Sequence, residues 1–241
     1  MPWDFWLIFL VLGVFIPWRG RVRLRRLLSM PAPGTKEKLA LYGATIALQW
    51  LLLGVVAWRA LARGLTTTEL GLARQVSFDL VLASVVGTAF LCTFQWFNLR
   101  RVGRMSGPTV DLMRQLAEHL LPTKAVEFAP YCALAVTAGV CEEFLYRGFV
   151  MAGLSRSGMP TWSVIVISSV LFGLAHAYQG KGGMIGTGLL GLLFAGSRLV
   201  FVSLVPAVIW HAAVDISAGV AGPRFLVAGS GAGPRDIQSE N

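Results

Sequence analysis

Two adjacent carboxylates, Glu142 and Glu143, lie inside an apolar run from about Ala129 to Leu154 and are followed by Arg147. Ionisable groups at such depth are costly. They persist where they pair with one another, line a polar cavity or do chemistry. Glu143 and Arg147 are four apart with the acid first, the favourable order for an ion pair on one helical face. Glu142 projects about 100° away from Glu143 at ~3.6 residues per turn, so its partner must come from another helix. Of the 3 histidines, His119 sits in a polar stretch and is expected at an exposed or interfacial position. His176 and His211 lie in or at the ends of apolar runs. Phe172 and His176 are four apart, as are His211 and Asp215, so each pair shares a helical face. Glu142, His176, His211 and Asp215 could therefore converge from three helices on one polar pocket. Such a pocket can perform general acid–base chemistry on water. It can equally bind a divalent metal such as zinc, with Glu142, His176 and His211 as candidate ligands, or relay protons in a transporter. Cys141 next to Glu142 faces a different way and is a weaker candidate nucleophile.

The elements that must position these residues are membrane helices. Of the 241 residues, 55% are hydrophobic and 14% charged, against about a quarter charged in a soluble domain. Only Glu142, Glu143 and Asp215 of the 12 acidic residues lie well inside apolar runs, with Asp79 near the edge of another. The pattern predicts an all-α polytopic helical bundle of about seven spans: Trp3 to Trp18, Leu39 to Trp58, Phe78 to Leu99, Ala129 to Leu154, Trp162 to Tyr178, Met184 to Phe201 and Leu204 to Val220. Residues 1–128 form an N-terminal part of three spans and an amphipathic cytoplasmic segment. Residues 129–222 form a four-helix catalytic core, and 223–241 read as a disordered tail rich in Gly, Pro and Ser.

The first apolar run precedes its arginines, the reverse of a cleavable signal peptide, and reads as a retained helix with its N-terminus outside. Loops assigned inside on that basis hold 15 of the 21 Lys and Arg residues. The net charge of +9 is accounted for by these loops and their contact with anionic membrane lipid; no basic patch interleaved with stacking aromatics suggests nucleic acid. Thr66 and Glu69 have the spacing of a capping box opening a short helix. Val110, Met113, Leu116 and Leu120 recur at helical spacing and predict an amphipathic surface helix. Gly186, Gly188 and Gly191 fit GxGxxG, but no strand precedes them; close helix packing explains them better than a dinucleotide site. Gln179 to Gly183 reads as a turn.

Three ordered motifs, Glu142-Glu143-Phe-Leu-Tyr-Arg147, Phe172-Gly-Leu-Ala-His176 and His211-Ala-Ala-Val-Asp215, each on its own membrane helix, resemble the CPBP family. That family comprises the CAAX-processing type II endopeptidases and bacteriocin-related intramembrane proteases, also called the abortive-infection family. The resemblance covers residues 142–215 and none of the first three spans. It implies an intramembrane endopeptidase, a hydrolase acting on a peptide bond of a membrane-associated protein or peptide, which is in some members lipid-modified. It assigns water activation to Glu142 with His176 and an oxyanion-holding role to His211 and Asp215. It leaves Glu143, Arg147 and Phe172 as supporting residues, with Arg147 a candidate for gripping a substrate carboxylate. The family has been described both as metalloprotease and as glutamate-dependent. Its prenyl-protein members tend to have Asn where this chain has Asp215. An ionised Asp donates no hydrogen bond, so Asp215 must be protonated, orient His211 or bind a metal. The expected location is a multi-pass position in a prokaryotic-type inner membrane. Two other classes compete: a non-catalytic scaffold or immunity-type binder of the same fold, and a proton-coupled transporter, which would be expected to show two related halves that this sequence lacks.

Overall fold

The computed structural model describes residues 1–227, and among these every regular element is helical. Six helices are long and apolar enough to cross a membrane: α1 (Trp3–Leu28), α2 (Thr35–Ala62), α3 (Phe78–Val102), α5 (Ala125–Arg156), α7 (Gly180–Phe201) and α8 (Val205–Gly222). Helix α4 (Pro108–Leu120) lies between α3 and α5 in the chain, and the shorter apolar helix α6 (Thr161–Ala175) between α5 and α7. A hydrocarbon layer needs roughly 20 helical residues, so α6, at 15 residues, falls short of the span expected over Trp162 to Tyr178. It ends at Ala175 and passes through a 3-10 turn (Ala177–Gln179). The expected turn at 179–183 is correspondingly absent, because Gly180 already opens α7. Outward faces stay apolar, as lipid requires: Phe90, Phe94 and Phe97 on α3 are 66%, 59% and 61% exposed.

Helix α5 is central. Every side chain from Glu143 through Leu154 is buried, and Phe144, Phe149 and Val150 belong to a core completed by Phe5, Leu12, Val56, Val164 and Phe172. Helices α2 and α8 pack against α5, α3 packs against α8, and α6 pairs with α7. The α6–α7 contact is close because Gly173 meets the Gly188 backbone, the small-residue packing expected of the glycine-rich run. A π segment in α1 (Val11–Phe15) runs up to Pro17, whose missing N–H removes one i→i−4 bond. Asp4, buried at the start of α1, bonds Arg59 Nη2 at 2.6 Å and Arg63 Nε at 3.1 Å, tying the first helix to the end of α2.

Several local expectations change. Thr66 and Glu69 do exchange the reciprocal bonds of a capping box, at 2.7 and 3.2 Å, yet they close a turn and not a helix. Asp79 is a first-turn acid of α3 and also pairs with Arg74 at 2.6 Å. His119 is not exposed. Helix α4 turns it inward to 5% exposure, with Nδ1 on Gln115 O and Nε2 on Met30 O. Residues Pro223–Val227 continue α8 as a π turn; the remainder of the predicted disordered tail lies outside the described residues.

Candidate active site

The site is built where α5, α6 and α8 meet. Gly139, one turn before Glu143, lets α5 and α8 touch backbone to backbone. A Cβ there would stand 2.9 Å from Val208 O and 3.1 Å from Ala212 N, tighter than van der Waals contact allows. This approach carries Glu143 to His211, whose Nδ1 lies 2.8 Å from Glu143 Oε1. The same oxygen accepts from Arg147 Nη1 at 2.8 Å. The i,i+4 pair read from the sequence is therefore one limb of a three-residue bridge, with Glu143 and Arg147 both fully buried. Arg147 gives its second amino group to Gly191 O at 3.2 Å and lies 4.1 Å over the Phe172 ring. A guanidinium so enclosed is held by cation–π and hydrogen-bond contacts together.

His176 sits just past the last residue of α6, in the bridge region of backbone space. The short helix ends there, and this brings the imidazole to the depth of Glu142. Its Nδ1 is 2.9 Å from Phe172 O. A carbonyl only accepts, so Nδ1 carries the proton. His211 likewise gives Nδ1–H to a carboxylate. Both rings thus turn Nε2 toward one atom, Glu142 Oε2, at 3.8 Å from His176 and 4.0 Å from His211. That oxygen is buried and has no hydrogen-bond partner among the described residues. The separations are too long for direct hydrogen bonds and suit groups that share one small polar molecule. Asp215 Oδ2 stands 3.7 Å from His211 Nε2, and Asp215 is 38% exposed, at the open side of the cluster. Phe172 packs its ring at centroid distances of 4.8 Å from His176 and 5.7 Å from His211, fixing both imidazoles.

All seven residues singled out in the sequence come together. Sequence reasoning missed Gln49 of α2, whose Nε2 donates to Glu142 Oε1 at 2.9 Å. One carboxylate oxygen is thereby anchored while the other faces the imidazoles. A neutral amide inside the apolar run from Leu39 to Trp58 was its only signal. Sequence reasoning also missed Tyr131, whose hydroxyl donates to Asp215 O at 2.9 Å.

By chemical type Glu142, His176 and His211 are a zinc donor set. Among the described residues, however, no group of three or more His, Cys, Asp or Glu side chains is arranged to hold a metal ion.

The all-helical bundle with six membrane-length helices marks an integral multi-pass membrane protein, and within it lies a cluster of carboxylates and imidazoles. Residues 124–217 match the family model described as type II CAAX prenyl endopeptidase Rce1-like, in agreement with the resemblance its three motifs carry. The match runs over α5 to most of α8, and the family is one of proteases. No curated protein and no solved structure matches the chain.

Proposed function

We propose that this protein is an intramembrane endopeptidase that hydrolyses a peptide bond of a membrane-associated protein or peptide, with Glu142 as general base. The observation that carries the reading is the convergence of two Nε2 atoms on the unbonded oxygen of Glu142. A water held by Glu142 Oε2 and His176 Nε2 gives its proton to Glu142 as its oxygen attacks the scissile carbonyl carbon. The carbonyl electron pair moves onto oxygen, and the protonated His211 donates Nε2–H to that oxyanion. Collapse breaks the C–N bond. The proton held by Glu142 passes to the leaving amine, and the products are a carboxylic acid and an amine, which ionise in water to carboxylate and ammonium. Glu143 fixes His211 through Nδ1 and stabilises its charged form, as the carboxylate of a catalytic triad does. Asp215, beside the same imidazole, orients it and needs no proton for that. The substrate class that the Rce1-like match favours is a peptide near its lipid-modified C-terminus.

The test is cleavage of a prenylated C-terminal peptide, and of unmodified membrane peptides, by purified protein in liposomes, with products read by mass spectrometry. Wild-type protein should release a shortened product that Glu142→Gln and His176→Ala do not. Full activity in both variants would remove Glu142 and His176 from the chemistry. Cleavage of unmodified peptides alone would remove the lipid-modified substrate.

A further inference from the structure

Helix α5 ends at Arg156, roughly 21 Å of helix rise beyond Glu142 at ~1.5 Å per residue. There a cavity of about 340 Å³ opens between α5, α7 and Glu69, its wall mostly apolar but with Arg147, Ser155, Arg156, Arg198 and Glu69 set into it. The volume falls at the small end of ligand sites, about 300–1,000 Å³. Two of its cations are already neutralised: Arg147 by Glu143, and Arg156 by Glu69 through bonds of 2.6 and 3.0 Å. Arg198 is not. It is 8% exposed, its Nη2 bonds the carbonyls of Thr68 and Glu69, and it forms no ion pair among the described residues. Its Nε is buried without a partner. The fold makes room for it: Gly71, at φ +75°, lies so close that a Cβ would collide with Arg198 Nε. A nearly buried guanidinium without a counter-anion is costly, and here it lines a cavity that also offers the Ser155 side chain. Trp58 and Trp162, 65% and 69% exposed, stand near the same ends of α2 and α6, as side chains at headgroup level do.

We propose that this cavity, lined by Arg147 but not by Glu142, is a binding site for a phosphate-type oxyanion, held through the Nη1 amino group of Arg198 with Ser155 alongside. The chemistry is shared by a free phosphate and by the headgroup of an anionic lipid. The site does not depend on the protease reading. Full-length protein in neutral maltoside micelles is titrated at constant ionic strength with inorganic phosphate and, separately, with dioctanoyl phosphatidic acid, and bound probe is counted per chain. Saturable binding of one probe per chain, weakened at least tenfold in Arg198→Gln, supports the site. Because Arg198 also braces the 63–71 segment, Ser155→Glu serves as the second variant. It places a carboxylate in the cavity and should abolish probe binding while leaving the protein folded. Binding of both probes identifies free phosphate as a sufficient ligand, and binding of the lipid alone identifies the headgroup. Absence of saturable binding by either probe, or binding unchanged in folded Arg198→Gln and Ser155→Glu, overturns the proposal.

Discussion

Replacing Arg147 by Met leaves Glu143 buried with His211 as its remaining partner. Both members of the pair are fully buried, and their bond is 2.8 Å long. Breaking a buried pair from one side costs about 3–5 kcal/mol, because the stranded charge is not resolvated. Glu143→Gln should cost a similar amount by stranding Arg147, which would keep Gly191 O and the Phe172 and Phe194 faces. The double variant removes both charges. The amide carbonyl introduced by Glu143→Gln still accepts from His211 Nδ1, and Met fills the space beneath Phe172. Its cost should fall below either single, to roughly 2 kcal/mol, with a coupling of at least about 4 kcal/mol. Reversible unfolding in mixed detergent–dodecyl sulfate micelles, followed by helical circular dichroism, measures all four corners of the cycle. Additive costs, or a loss under about 1 kcal/mol in Arg147→Met, would refute the claim that this bridge is one electrostatic unit.

Further outcomes follow from the same contacts. Gln49→Leu removes the bond to Glu142 Oε1; a hydrogen bond to a charged group contributes about 1.5–3 kcal/mol to stability, so the unfolding free energy should fall by about that amount, and kcat/KM should fall as Glu142 loses its anchor. Gly139→Leu forces α5 away from Val208 and Ala212 and should cost about 1–3 kcal/mol by overpacking, read as a lowered unfolding midpoint together with lost cleavage. Bonds from Arg156 and Thr66 hold the Glu69 carboxyl at about 2, below its ordinary 4.5. Its folded pKa being the lower one, the stability it lends is complete above about pH 4.5 and is lost as pH falls toward 2. Hydrogen exchange of residues 64–71 should therefore separate wild type from Glu69→Gln at neutral pH and converge as the pH drops through that window.

Much of the site was legible because its signals are chemical. Charge inside an apolar run is conspicuous, and i,i+4 spacing places Arg147 beside Glu143 and Phe172 beside His176 without knowledge of the fold. What spacing cannot give is which face of one helix meets which face of another. The bond from His211 to Glu143, across 68 residues of sequence, depends on the Gly139 crossing. Gln49 acts across 93 residues and carries no charge to draw notice. The depth of His176 was hidden for a different reason: hydropathy continues past Ala175, while the helix does not, and only the end of α6 aligns His176 with Glu142. His119 illustrates the opposite error. A histidine in a polar stretch reads as exposed or interfacial, but packing of α4 beneath the end of α1 buries it against Met30.

The two neighbouring glutamates offer the most direct test of the central claim. In the proposed mechanism Glu142, with a free oxygen facing two imidazoles, is the base, and Glu143 is the buried support. Cleavage rate and unfolding midpoint are measured side by side for Glu142→Gln and Glu143→Gln in the same liposome preparation. Glu142→Gln should lower kcat by about 10²–10⁴-fold with an unfolding midpoint close to wild type, whereas Glu143→Gln should be markedly destabilised. Near-wild-type cleavage by Glu142→Gln, with its fold intact, would contradict that claim.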